Sequence, residues 1–154
     1  MKVIMKKYPV FLILFLLLLS ACISQEPREV NLHTDECTYC KMVISDQQFA
    51  SQLVSDKGKS YPFDSIECMA AYTYQTPVVA ENAKHYLTNY TQPGQWLLVE
   101  NADIYHAENV PSPMGLSLFA LPGQKTVPSE ITDAELLGWN KTIQFVVKQW
   151  NVKR

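Results

Sequence analysis

The stretch FASQLVSDKGKSYPFDSIECM, residues 49–69, decides the fold. Residues 49–55 have strand composition, and the turn Asp56-Lys57-Gly58-Lys59 returns the chain into a short strand over residues 60–63. Asp64 then stands as an N-cap with Glu67 three positions on, a capping-box-like pair that predicts a helix as far as about Tyr74. Cys68 falls at the end of the first turn. The positive end of the helix dipole favours a thiolate there, and the carboxylates of Asp64 and Glu67 offset it.

Upstream, residues 41–45 read as the first strand, and a period of two puts Cys40 and Met42 on one face if the chain is already extended there. Downstream of Thr76-Pro77 the chain becomes β-rich again, with strand composition over residues 85–89, 96–100, 104–106 and 116–120. Asn140 can cap a final helix whose Ile143, Val146, Val147 and Trp150 keep the spacing of one apolar face. Two successive β-rich stretches, each ending in or followed by a helix, make an α+β class. The length suits one domain with a real core, or two small halves sharing one.

The first residues have a different purpose. Lys2, Lys6 and Lys7 precede the apolar run 10–19, and Leu19-Ser20-Ala21-Cys22 closes it as a lipobox, where a signal peptidase cuts and the new N-terminal cysteine is acylated. Ten apolar residues in a helix span about 15 Å, half a bilayer core, so the run is too short for a transmembrane anchor. Residues 1–21 are therefore expected to be a lipoprotein signal, residues 22–36 an acylated flexible tether, and residues 37–154 the folded domain, with possible halves 37–84 and 85–154. The protein is expected on a membrane, facing the periplasm or the cell exterior. An ordinary secretory signal with an incidental Cys22 is the alternative.

With the three leader lysines removed, 10 of the 13 basic residues remain against 15 acidic ones, a formal charge of about −5. That balance argues against nucleic acid, which asks for a basic stripe with interleaved aromatics. It also argues against an electrostatic grip on anionic lipid, leaving the acyl chains as the membrane attachment.

Once Cys22 is acylated, Cys37, Cys40 and Cys68 remain, an odd number that a closed disulfide framework cannot absorb in an oxidising compartment. Cys37-Thr-Tyr-Cys40 can close a small disulfide or converge on one metal ion. Structural zinc usually asks for four N or S ligands from paired motifs, and no second C-x-x-C or spaced His pair is present. Thioethers accompany the thiols: Met42 follows Cys40 by two, Met69 adjoins Cys68, and Met114 sits in the turn-like Ser112-Pro113-Met114-Gly115. Soft donors of this kind suit Cu(I). A single Met is commonly core filler, but a Met between Pro and Gly in a loop has less reason to be core. A thiol-disulfide oxidoreductase is a second reading of Cys37 and Cys40, although such motifs usually sit where a strand meets a helix. A structural disulfide- or zinc-stabilised lipoprotein is a third.

Cys37-Thr-Tyr-Cys40-Lys-Met42-Val-Ile-Ser-Asp46, Phe63-Asp64-Ser-Ile-Glu67-Cys68-Met69 and Pro113-Met114-Gly115, in this order behind a lipobox, resemble the nitrous-oxide-reductase accessory lipoprotein family, NosL. The resemblance covers Cys37 to about Ala120. It implies two small ββαβ-like halves forming one compact domain, a topology also known in part of organomercurial lyase. It further implies a membrane-tethered chaperone, not an enzyme, that carries one Cu(I) per chain for nitrous oxide reductase and its ABC-type maturation complex. The family's Cys-x-Met step falls on Cys40 and Met42, and its Met-Gly step on Met114 and Gly115. Many members have Gly where this chain has Lys41, and many lack partners for Cys37 and Cys68, so the site is either one Cys with Met and a third ligand or a multi-thiolate centre. For a third ligand the chain offers His33, His85 and His106, of which His106, eight residues before Met114, is the best placed.

Overall fold

The computed structural model describes residues 24–154; the leader and Cys22 lie outside the described residues. Strand β1 (Ser51–Val54) and strand β2 (Ser60–Phe63) form the expected hairpin, in register from Ser51↔Phe63 to Val54↔Ser60. Its turn is closed by the Gly58 amide donating to the Ser55 carbonyl at 2.9 Å, with Gly58 at φ 73, a conformation glycine takes without steric cost. Helix α1 (Ile66–Gln75) follows, then the short helix α2 (Pro77–Ala80). The Thr76 amide donates to the Tyr72 carbonyl at 2.9 Å, and Pro77, which cannot extend a helix behind it, starts the next one.

Strand β3 (Lys84–Asn89) returns antiparallel to β1, and β4 (Gln92–Leu98) pairs with β3, giving a four-stranded sheet in the order β2-β1-β3-β4. The run β1-β2-α1-β3 is a ββαβ unit. A turn of 3-10 helix leads to β5 (Ala102–His106), β6 (Leu118–Pro122) and β7 (Glu135–Leu136), which form a second antiparallel sheet in the order β6-β5-β7. Helix α3 (Trp139–Trp150) is the last element. Two antiparallel sheets with helices give the expected α+β class, and in the second sheet's part of the chain the order is β5-β6-β7-α3, with the helix after all three strands.

One core joins the halves. Leu53 of β1, Phe63 of β2, Met69 of α1 and Leu87 of β3 pack with Ile104 of β5, Leu118 of β6 and Val146 of α3, all fully buried. Tyr90, beyond β3, donates its amide to the Ala120 carbonyl at 2.9 Å and lays its ring 5.0 Å from Phe119, so the sheets are also stitched at their edges. Met69 is core filler at 0% exposure.

Three expectations are corrected. Residues 41–45 form no strand, only an isolated Glu36↔Val43 bridge, because Lys41 turns into the left-handed region at φ 66 and breaks the pleat. The period-two argument for Cys40 and Met42 lapses with it. The cap of α1 is Ser65, whose Oγ accepts from the Cys68 amide at 3.2 Å, and not Asp64. The cap position of α3 is Gly138 and not Asn140, and the helix faces the core with Thr142, Ile143, Val146 and Trp150. Sequence also missed β7 and α2, both too short for periodicity to register.

The polar segment read as a tether is docked from Gln25 onward. The Tyr86 hydroxyl donates to the Gln25 carbonyl at 2.9 Å, and the buried Gln52 amide bonds both the amide and the carbonyl of Arg28 as a strand edge does. Arg28 pairs with Asp35 at 2.6 Å, and Val30 is buried. Among the described residues no helix is long and apolar enough to cross a membrane.

Candidate metal centre

Cys37 and Cys40 lie on a tight loop. The Cys37 amide donates to the Met42 carbonyl at 2.8 Å and the Lys41 amide to the Cys37 carbonyl at 3.0 Å, folding the chain back around both thiols. The Thr38 amide donates to the Pro62 carbonyl at 2.8 Å, which fastens the loop to β2. On its other side the Tyr39 ring stacks on Trp150 of α3, with centroids 6.1 Å apart. Each half of the fold therefore braces the C-x-x-C loop.

The third thiol arrives from the helix. Ser65 caps α1 with its side chain and gives its carbonyl to the Ser51 hydroxyl at 2.8 Å, so the first turn is anchored to β1 and Cys68 is fixed in it. The result is a group in which the sulfurs of Cys37, Cys40 and Cys68 and a carboxylate oxygen of Asp64 all lie within 4.8 Å of one another. Cys37, Cys68 and Asp64 are buried, and Cys40 is half-buried. The Cys40 thiol donates to Asp64 Oδ2 at 3.6 Å, whereas Asp64 Oδ1 is buried without a hydrogen-bond partner. The three cysteines are free thiols.

The thiols differ in acidity. Cys37 is held down to about 7, first because the Cys68 thiol donates a hydrogen bond to it. Cys68 is pushed up by that same bond, which asks it to keep its proton, and then by burial. Burial pushes Cys40 up to about 11. One thiol made more acidic beside two that hold their protons more tightly, with an Asp64 oxygen at hand, is a centre that exchanges protons for a metal ion. The donor set fits one: the three sulfurs suit a soft cation, and the orphaned Asp64 oxygen lacks a positive partner. The loop leaves the C-x-x-C through an isolated bridge and not into a helix, unlike the usual setting of a redox C-x-x-C.

The other predicted residues are placed as follows. Met42 is 50% exposed, and its carbonyl is what closes the loop. Met114 is half-buried against the same core cluster as Cys37 and Cys68, in a turn closed by the Gly115 amide donating to the Ser112 carbonyl at 3.1 Å. Gly115 takes φ 79, which accounts for a glycine at that position. His106, in β5, packs its ring 5.2 Å from Phe145 and lines a surface cavity with Glu108 and Asp133; it is not part of the four-donor group. His85 lies 3.2 Å from the Thr73 hydroxyl and against Trp139, with its basicity lowered by burial, and it is not part of the four-donor group. His33 is exposed. Sequence reasoning missed Asp64 as a donor by giving it the cap. The available signal was its place four residues before Cys68, directly after a strand.

None of the curated proteins matches the chain. Its fold is similar to the crystal structure of the copper chaperone NosL from Shewanella denitrificans, with a TM-score of 0.55 over 82% of this chain and 88% of that one at 13% identity. The NosL family profile matches residues 29–126, a span that holds the C-x-x-C loop, α1 with Cys68 and the Met114 turn. On the strength of that match the chain belongs to the NosL family.

Proposed function

We propose that this protein is a membrane-tethered, extracytoplasmic Cu(I) carrier that delivers copper for the maturation of nitrous oxide reductase, through the ABC-type complex that assembles it. The observation that carries the reading is the convergence of three thiols within 4.8 Å on a braced loop and a helix terminus. Cu(I) prefers soft donors and accepts low coordination numbers. Copper is the cargo, one ion per chain, held by Cys37, Cys40 and Cys68, with Met42 and Met114 as thioether donors. His106 is the weakest of the proposed ligands, since its ring is engaged with Phe145. The tether is acylated Cys22, a reading that rests on the lipobox. The protein acts by binding and release and catalyses no reaction.

Metal competition tests the binding. The protein should retain one equivalent of copper against a Cu(I) chelator, and added Cu(I) should displace any bound zinc. The structural-zinc reading gains one point from Asp64, an oxygen that completes four donors; stoichiometric zinc that copper does not displace decides for it. Delivery is tested in cells: a deletion strain should hold reductase protein that is short of copper. A full copper complement in that reductase removes the delivery role.

A further inference from the structure

Glu67 is a buried carboxyl to which metal binding gives no task. It is 0% exposed in the first turn of α1, directly before Cys68. The Ser112 hydroxyl donates to its Oε1, and its Oε2 is buried without a partner. Burial pushes the carboxyl up, offset in part by Ser112. An apolar side chain would fill the position without desolvating a polar group, so what Glu67 adds is its bond to Ser112. Ser112 is in turn the peg of its loop. Its Oγ accepts from the Ser117 amide at 2.9 Å and its carbonyl from the Gly115 amide at 3.1 Å, so both ends of the Met114 turn hang on one residue. Met114 lies inside the loop that these two bonds close and is half-buried on the cluster that contains Cys37 and Cys68.

We propose that Glu67 is a positioning residue: through Ser112 it latches the loop 112–117 to the first turn of α1, and so holds the Met114 thioether beside the thiols of Cys37, Cys40 and Cys68. The latch stands on the geometry alone, while its consequence for copper rests on the function proposed above.

Two measurements on the full chain test it. Hydrogen exchange in the metal-free protein should show amides of residues 112–117 exchanging about tenfold faster in Glu67→Ala and in Ser112→Ala, the equivalent of one ordinary hydrogen bond, with β1 and β3 unchanged. Glu67→Gln, whose amide oxygen still accepts from Ser112, should restore the wild-type rates. Unchanged loop exchange, or acceleration shared by β1 and β3, overturns the latch. The second measurement is Cu(I) affinity in a cycle of Glu67→Ala with Met114→Ile. Each should weaken binding by about tenfold, and the double variant no further, because both remove one thioether. Additive losses overturn the link between latch and Met114. A wild-type chain that binds no Cu(I) sinks the copper reading, and the exchange experiment still decides the latch.

Discussion

Lys41 carries the clearest conflict between residue type and conformation. At φ 66 it occupies the left-handed region, which costs an L-residue about 1–2 kcal/mol, and it does so to let the loop close on Met42. Lys41→Gly removes that strain but frees the unfolded chain by about 0.5–1 kcal/mol, so stability in urea should rise by no more than about 1.5 kcal/mol. Lys41→Val should lose about 1–2 kcal/mol, because a β-branched residue resists this region most. The thiols supply a second prediction. Cys37, held at about 7, contributes stability that is present above the ordinary thiol value of 9.0 and lost as pH falls through about 7. Cys40, raised to about 11, contributes stability that is present below 9.0 and lost as pH rises toward about 11. Together these two favour a maximum near 9 in the metal-free protein, which denaturation across pH measures. For copper, Cys37 is already ionised above about 7, and Cys40 and Cys68 still hold their protons. Apparent Cu(I) affinity should therefore climb by up to about a hundredfold per pH unit between pH 7 and 9 if all three thiols bind, and by about tenfold in Cys40→Ser.

At the scale of the element, the first turn of α1 divides two tasks between neighbours. Ser65 holds the helix by accepting from the Cys68 amide, and Asp64 faces the thiols. Ser65→Ala should cost about 1 kcal/mol of stability, the usual loss for an N-cap. Asp64→Ala should leave helix content by circular dichroism unchanged and alter metal binding. If Asp64→Ala unfolds the helix while Ser65→Ala does not, the cap has been assigned to the wrong residue. Helix α3 ends as such helices commonly do, with Asn151 in the left-handed conformation at φ 50 and the Val152 amide returning to the Val147 carbonyl at 3.0 Å. That end sets Trp150 under Tyr39, so the last helix bears on the metal loop.

For the whole molecule, the shared core predicts one cooperative unit. Leu87 lies on β3, fully buried among residues of both sheets. Leu87→Ala should cost about 2–5 kcal/mol and shift a single transition. The tryptophans report from both sides, Trp96 on β4 and Trp139 and Trp150 on α3. Fluorescence and far-ultraviolet circular dichroism should therefore give coincident curves. Two separated transitions would mean that the halves fold independently.

Local patterns carried the hairpin of β1 and β2, the position of α1, strands β3 and β5 and the apolar face of α3, because composition, turn residues and helical periodicity are written in contiguous residues. They also marked the cysteines and the ordered motifs of the family. What they did not contain was the conformation of residues 37–44. Strand composition there was overridden by a left-handed Lys41 and by amide bonds across the loop, which only the closed chain makes. Nor did they tell Asp64 from Ser65 as a cap, since both side chains can serve and only the folded chain sets Ser65 Oγ on the Cys68 amide and an Asp64 oxygen among the thiols. The docking of Arg28 on Gln52, the stacking of Tyr39 on Trp150 and the bond between Glu67 and Ser112 join residues 24, 111 and 45 positions apart. Contacts of that separation have no local signature, and they are what turns three scattered cysteines into one centre.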